Sequence, residues 1–111
     1  MKEVLEDYAL RKNTQKQKGV LKRVGIVGGG SMGQEISIVV SKAGLEVQII
    51  DLTKKRINEV LNMISNQLDE QISRWGMTNS DKKAILSRIS GSDDYKDLKE
   101  CDIVIECVNT E

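Results

Sequence analysis

The chain reads as an α/β protein built on a parallel sheet, and three features say so. Apolar runs suited to strands buried on both faces stand at residues 24–27, 47–50 and 103–105. Stretches with apolar residues every three or four positions separate them, as helical crossovers require. Glycines and capping residues punctuate the junctions. With 111 residues there is room for one modest core and no more than one domain.

The most specific stretch is Val24-Gly25-Ile26-Val27-Gly28-Gly29-Gly30-Ser31-Met32-Gly33, followed by Val47-Gln48-Ile49-Ile50-Asp51. It spells a strand, a glycine turn, a helix start and a second strand that ends on a carboxylate. That order is how a βαβ unit holds a dinucleotide. Gly28 allows the tight turn, Gly30 lets the backbone approach a pyrophosphate, and Gly33 lets the helix pack on the strand. Phosphates would sit over unpaired N–H groups at the positive end of the helix. Asp51 lies 18 residues beyond Gly33, where the ribose-binding acid is expected at about 20. A glycine triplet alone would be weak evidence; the flanking strands, the helical period and the terminal acid make it strong.

Each element then follows in order. A strand is expected over residues 23–27 and a helix over 31–42, with Met32, Ile36, Val39, Val40 and Ala43 at helical spacing. Ala43-Gly44 supplies the glycine for a left-handed cap. The second strand spans residues 46–50. A long helix follows, striped by Ile57, Val60, Leu61, Ile64, Leu68, Ile72 and Trp75 and ended by Gly76. Lys54, Lys55 and Arg56, early in that stretch, are expected to face solvent. Thr78-Asn79-Ser80-Asp81 has the spacing of a capping box, with Asp in place of Glu, and opens a short helix using Ala84, Ile85 and Arg88. Residues 89–92 read as a third strand, 95–100 as a short helical connection, and 101–108 as a fourth buried strand. Right-handed crossovers order these strands 3-2-1-4. The expected fold is therefore a Rossmann-type parallel sheet, its N-terminal half only, with a long helix pair between strands two and three. Residues 1–22 read as an N-terminal arm and 23–111 as a partial dinucleotide-binding domain.

Composition excludes other classes. Seventeen basic and seventeen acidic residues cancel, which gives no footprint for nucleic acid or an anionic membrane. The aromatics are only Trp75, Tyr8 and Tyr95, too few for base-stacking platforms. No apolar run approaches the roughly 20 residues of a membrane span, and the first residues lack a signal-peptide core. Cys107 is expected to be a small buried side chain and Cys101 an incidental thiol, with a cytoplasmic setting as the default. The chain has no histidine, the usual general acid–base near neutral pH.

From Lys22 to about Glu111 the sequence resembles the N-terminal NAD-binding domain of the 3-hydroxyacyl-CoA dehydrogenases. The matching pieces are residues 24–33, Ala43-Gly44-Leu45-Glu46-Val47 and Asp51. Gly76-Met77-Thr78, Leu86-Ser87-Arg88-Ile89 and Cys101-Asp102-Ile103-Val104-Ile105-Glu106 match as well. The stretch of about 37 residues between Asp51 and Ile89 fits too, because this family places a long helix pair there. Departures are Glu35, where the family has a small residue, and Asn109-Thr110-Glu111, which sets the acid one place late. No role beside the nicotinamide is carried over to Glu111.

The resemblance implies an NAD-dependent oxidoreductase acting on the 3-hydroxyl of an acyl-CoA, as in fatty-acid metabolism. The cofactor-binding residues expected here are Gly28, Gly30, Ser31, Met32, Gly33, Asp51 and Val108. The family's catalytic His, its Glu partner and the helical domain that completes the acyl-CoA pocket have no counterpart in these 111 residues. The chain alone is therefore expected to be inactive, a fragment or truncated form that meets the acyl-CoA substrate only within a longer parent. The outer edge of strand four is expected to self-associate, to be covered by residues 1–18 or to fray. The alternative is a stand-alone NAD-sensing regulatory module, whose usual shorter link between strands two and three fits the Asp51–Ile89 spacing less well.

Overall fold

The computed structural model describes residues 20–108. Four strands form one parallel sheet: β1 (Arg23–Val27), β2 (Glu46–Ile50), β3 (Ile89–Ser92) and β4 (Ile103–Glu106), in the order β3-β2-β1-β4. The helices are α1 (Ser31–Lys42), α2 (Lys54–Trp75) and α3 (Asn79–Ser87), and a 3-10 turn covers Tyr95–Glu100. Fold class and strand order are those expected.

Register explains the core. Val24 stands opposite Ile103 and Val47, and Val47 opposite Ile89, so one face of the sheet carries an apolar row. Ile105, Ile26, Ile49 and Gly91 make the next row on that face. Ile57, Val60, Ile64 and Leu68 of α2, Ile38 of α1 and Ile85 of α3 close over it. Each such side chain fully buried contributes about 1.5–3 kcal/mol. Gly91 is where α2 comes nearest: a Cβ there would lie 2.4 Å from Ile57 Cγ2. On the opposite face Leu98 of the 3-10 turn occupies the space above Gly25, 2.7 Å from where a Cβ would stand.

The caps follow from the residues predicted to make them. Thr78 Oγ1 accepts from the Asp81 N–H at 3.1 Å, and Asp81 Oδ2 accepts from the Thr78 N–H at 3.2 Å, a complete capping box. Gly76 ends α2 in the left-handed region, at φ 74°. Thr53 caps its start by accepting from the Arg56 N–H.

Four expectations need correction. The apolar spacing of α1 does not mark its buried face: Met32 is 61% and Val39 66% exposed, and Ala43 is exposed too. Gly33, Gln34, Ser37, Ile38 and Ser41 are buried instead. The helix runs hard against the glycine turn at Gly33, where a Cβ would lie 2.0 Å from Gly28 O, and its buried serines each find a backbone carbonyl. Ser37 Oγ donates to Gly33 O and Ser41 Oγ to Ile85 O, both at 2.7 Å.

Trp75 is exposed at the tip of α2. A helix of 22 residues is about 33 Å long, roughly twice the reach of a five-residue strand, so its last turns overhang the sheet. The cysteine assignment is reversed: Cys101 is buried, and Cys107 only partly so. β4 is half-buried rather than buried, since β1 is its single strand partner among the described residues. The arm expected over residues 1–22, its cover of strand four and Glu111 lie wholly or mostly outside the described residues.

Candidate functional site

β1 lies between β2 and β4, and the chain leaves it toward one neighbour and returns on the other. The crevice outside the carboxyl ends of strands at such a reversal is where open α/β sheets take their ligands. The turn there is pinned from both sides. The Gly28 N–H donates to Ile50 O at 2.8 Å, and the Cys107 N–H donates to Val27 O at 2.7 Å. Gly28 itself has φ 103°, and a Cβ on it would lie 2.8 Å from Cys107 O and 3.2 Å from the Val108 nitrogen. Val108, placed at the site by the sequence, thus runs directly against the turn.

The glycines divide into crowded and open. At Gly33 a Cβ would lie 2.0 Å from Gly28 O, and at Gly29 it would lie 2.5 Å from Val60 Cγ2. At Gly30 it would meet no protein atom within 4 Å. Gly30 also has φ −74°, which any residue adopts. Neither fold nor backbone conformation requires glycine there, whereas a ligand approaching the backbone would. Gly30 is the N-cap of α1, no side chain caps that helix, and its first turn holds no acid. Its first N–H groups are therefore left for an anion. Ser31 and Met32 in that turn are exposed, at the mouth of the crevice.

Asp51 stands at the end of β2, its side chain 14% exposed. Its Oδ2 accepts from the Gly29 N–H at 2.9 Å and its Oδ1 from the Leu52 N–H at 2.7 Å. The carboxylate therefore braces the glycine turn. Arg56 was expected in solvent; its Nε is 3.6 Å from Asp51 Oδ2. The first turn of α2 folds back over the strand end that precedes it.

Sequence reasoning passed over three further residues. Gln34 is buried; its amide donates to Gly29 O at 2.8 Å and accepts from Gln67 Nε2 at 2.6 Å. It ties the turn to both α1 and α2. Gly29, which the glycine motif gives no role, admits Val60. Leu52 is exposed beside Asp51. Only Gly29 had a visible signal, as the middle of three glycines. A groove of about 670 Å³ lined by Lys42, Gln71, Trp75, Ile85 and Arg88 lies at the amino edge of the sheet and includes none of these residues. None of the helices among the described residues is long and apolar enough to cross a membrane.

Residues 23–111 match the family model described as the NAD-binding domain of 3-hydroxyacyl-CoA dehydrogenase. A curated relative, 3-hydroxybutyryl-CoA dehydrogenase from Bradyrhizobium diazoefficiens, is 37% identical over 87 residues, which are 78% of this chain and 30% of the relative. Among solved structures, (S)-3-hydroxybutyryl-CoA dehydrogenase from Ralstonia eutropha superposes with a TM-score of 0.79 at 36% identity. That match covers 83% of this chain and 32% of the other. FadB2 from M. tuberculosis gives a TM-score of 0.79 at 30% identity, with the same coverage of 83% and 32%. The chain spans about a third of the length of these relatives. With its glycine turn, its acid-ended second strand and its long helix pair all in the matched region, the chain belongs to the 3-hydroxyacyl-CoA dehydrogenase family, as an NAD-binding domain.

Proposed function

We propose that this chain grips the adenosine half of NAD for a dehydrogenase that interconverts 3-hydroxyacyl-CoA and 3-oxoacyl-CoA. The reading is supported most by the contrast between Gly30, open to approach, and Gly28, Gly29 and Gly33, each closed by protein. In it the backbone of Gly30, Ser31, Met32 and Gly33 holds the pyrophosphate. Val108 borders the turn, and Asp51 accepts from the ribose 2′-hydroxyl. When bound, NAD supplies the hydride-exchanging nicotinamide; the protein supplies position and electrostatics.

Asp51 favours NAD over NADP, since a carboxylate accepts from a hydroxyl and repels a phosphate. A charged hydrogen bond of this kind contributes about 1.5–3 kcal/mol. Calorimetric titration of both cofactors tests it, with NAD expected at roughly tens of micromolar; equal or tighter NADP binding refutes the assignment.

Proton transfer is proposed to fall to residues of a longer parent, since no histidine is present among the 111 residues. Rigorously purified chain should not turn over acetoacetyl-CoA with NADH, and turnover would overthrow this part. The side of β4 away from β1, which has no strand partner among the described residues, is proposed to pair with a second copy in the isolated chain. Sedimentation that shows a monomer at every concentration rejects that pairing.

A further inference from the structure

The first turn of α2 carries Lys54, Lys55 and Arg56 and no acid. Cations at the start of a helix oppose its dipole, so local helix stability does not account for them. Lys54 and Lys55 are exposed, whereas Arg56 turns back toward the end of β2. Its Nε lies 3.6 Å from Asp51 Oδ2, and its Nη1 lies 3.8 Å from Glu59 Oε1. Both Asp51 oxygens already accept backbone N–H groups. Arg56 is therefore not needed to satisfy the carboxylate. At that separation it acts mainly as a neutralising charge.

A bare carboxylate at this position excludes a ribose 2′-phosphate by like-charge repulsion. A guanidinium beside it, shared with Glu59, offsets part of that repulsion. The guanidinium also presents a planar fork of donors that matches a phosphate. Its present partners are loose, partly exposed contacts beyond normal hydrogen-bond length, so exchanging them for a phosphate costs little. We propose that Arg56 is a specificity-determining residue of this cofactor site, one that admits a ribose 2′-phosphate. The chain then binds NADP as well as NAD: Asp51 sets the sign of the preference, and Arg56 keeps it small. This rests on the reading that Asp51 faces the adenosine ribose of a bound dinucleotide.

The test is calorimetric titration of the whole 111-residue chain with NAD, NADP, ADP-ribose and 2′-phospho-ADP-ribose. The last two probe the adenosine half without a nicotinamide pocket. The unmodified chain should prefer NAD by less than about tenfold. Arg56→Gln should widen that ratio by about tenfold or more, chiefly by weakening the two 2′-phosphorylated ligands, and Arg56→Lys should fall between. Lys83→Gln, the same charge change on an exposed position of α3, should leave the ratio where it was. Raising salt from roughly 50 mM to roughly 300 mM should weaken NADP more than NAD in the unmodified chain only. A preference for NAD of about a hundredfold or more in the unmodified chain overturns the proposal, as does a ratio that ignores Arg56→Gln. If NAD and ADP-ribose also fail to bind the unmodified chain, the Asp51 reading falls with it. If they bind and only the ratio disobeys, the Arg56 assignment falls alone.

Discussion

Asp51 and Asp102 perform one local task at opposite ends of the sheet, and they differ in what they leave open. At the amino edge, Asp102 Oδ2 accepts from the Lys22 and Arg23 N–H groups at 2.7 and 2.9 Å, stitching the start of β1 to the start of β4. It is 2% exposed. At the carboxyl edge, Asp51 accepts from the Gly29 and Leu52 N–H groups and keeps a face toward the crevice. The same contrast separates Gly33, filled against by Gly28 O, from Gly30, against which nothing stands. Where protein completes a group's surroundings, its role is structural; where protein stops short, room is left for a ligand.

Among substitutions at these positions, the largest effect falls on the closed glycine. Gly33→Ala forces a Cβ toward the Gly28 carbonyl and should cost about 3 kcal/mol or more in chemical denaturation. Normal stability would mean that α1 can back away from β1. Asp102→Ala leaves two inward-facing N–H groups without their acceptor and should cost about 2–3 kcal/mol. NAD affinity of the folded fraction should barely change, and a specific loss of binding would make the amino edge part of the site.

Asp51→Asn keeps an oxygen for the Gly29 N–H, so denaturation should register less than about 1 kcal/mol. NAD should weaken by about tenfold and the NAD–NADP gap should narrow. Asp51→Ala is the poorer probe, because it also removes the brace on the turn. Gly30→Ala should alter stability by no more than about 0.5 kcal/mol while lowering NAD affinity by about tenfold or more. Retained affinity there would remove the main support for the pyrophosphate reading.

The smallest effect concerns Cys107, whose thiol burial pushes above its ordinary value. The unfolded chain then loses this proton at lower pH than the folded one. Its stabilising contribution is complete below the ordinary thiol range and declines as pH rises through and above it. Unfolding free energy should slope gently downward at alkaline pH, and Cys107→Ser should flatten that slope.

Much of the molecule was legible because its signals are local. Strand bounds at 23–27 and 46–50 follow from apolar runs that end at turn residues. The Thr78–Asp81 box and the Gly76 stop need only neighbours within one turn to form. Gly28 and Gly33 were readable because the turn and the close approach they allow follow from backbone geometry at a fixed spacing.

What stayed hidden depends on contacts between residues far apart in sequence. The packed face of α1 could not be read from its hydrophobic pattern, because close approach at Gly33 and side-chain bonds from Gln34, Ser37 and Ser41 make up most of that side. Gln34 looks like a surface amide until α2 brings Gln67 and Met63 to it. Arg56 looks solvated until the turn at Thr53 folds it back on Asp51. Cys101 and Cys107 exchange their expected burial because the 3-10 turn covers the amino end of β4, while its carboxyl end lies at the open crevice. The sequence by itself determined the order of elements, the conformation of the turn and the acid that faces it, since each is written in residues adjacent along the chain. Which of those residues are sealed and which remain open to a cofactor was decided only by packing, because burial belongs to the neighbours that the fold brings in.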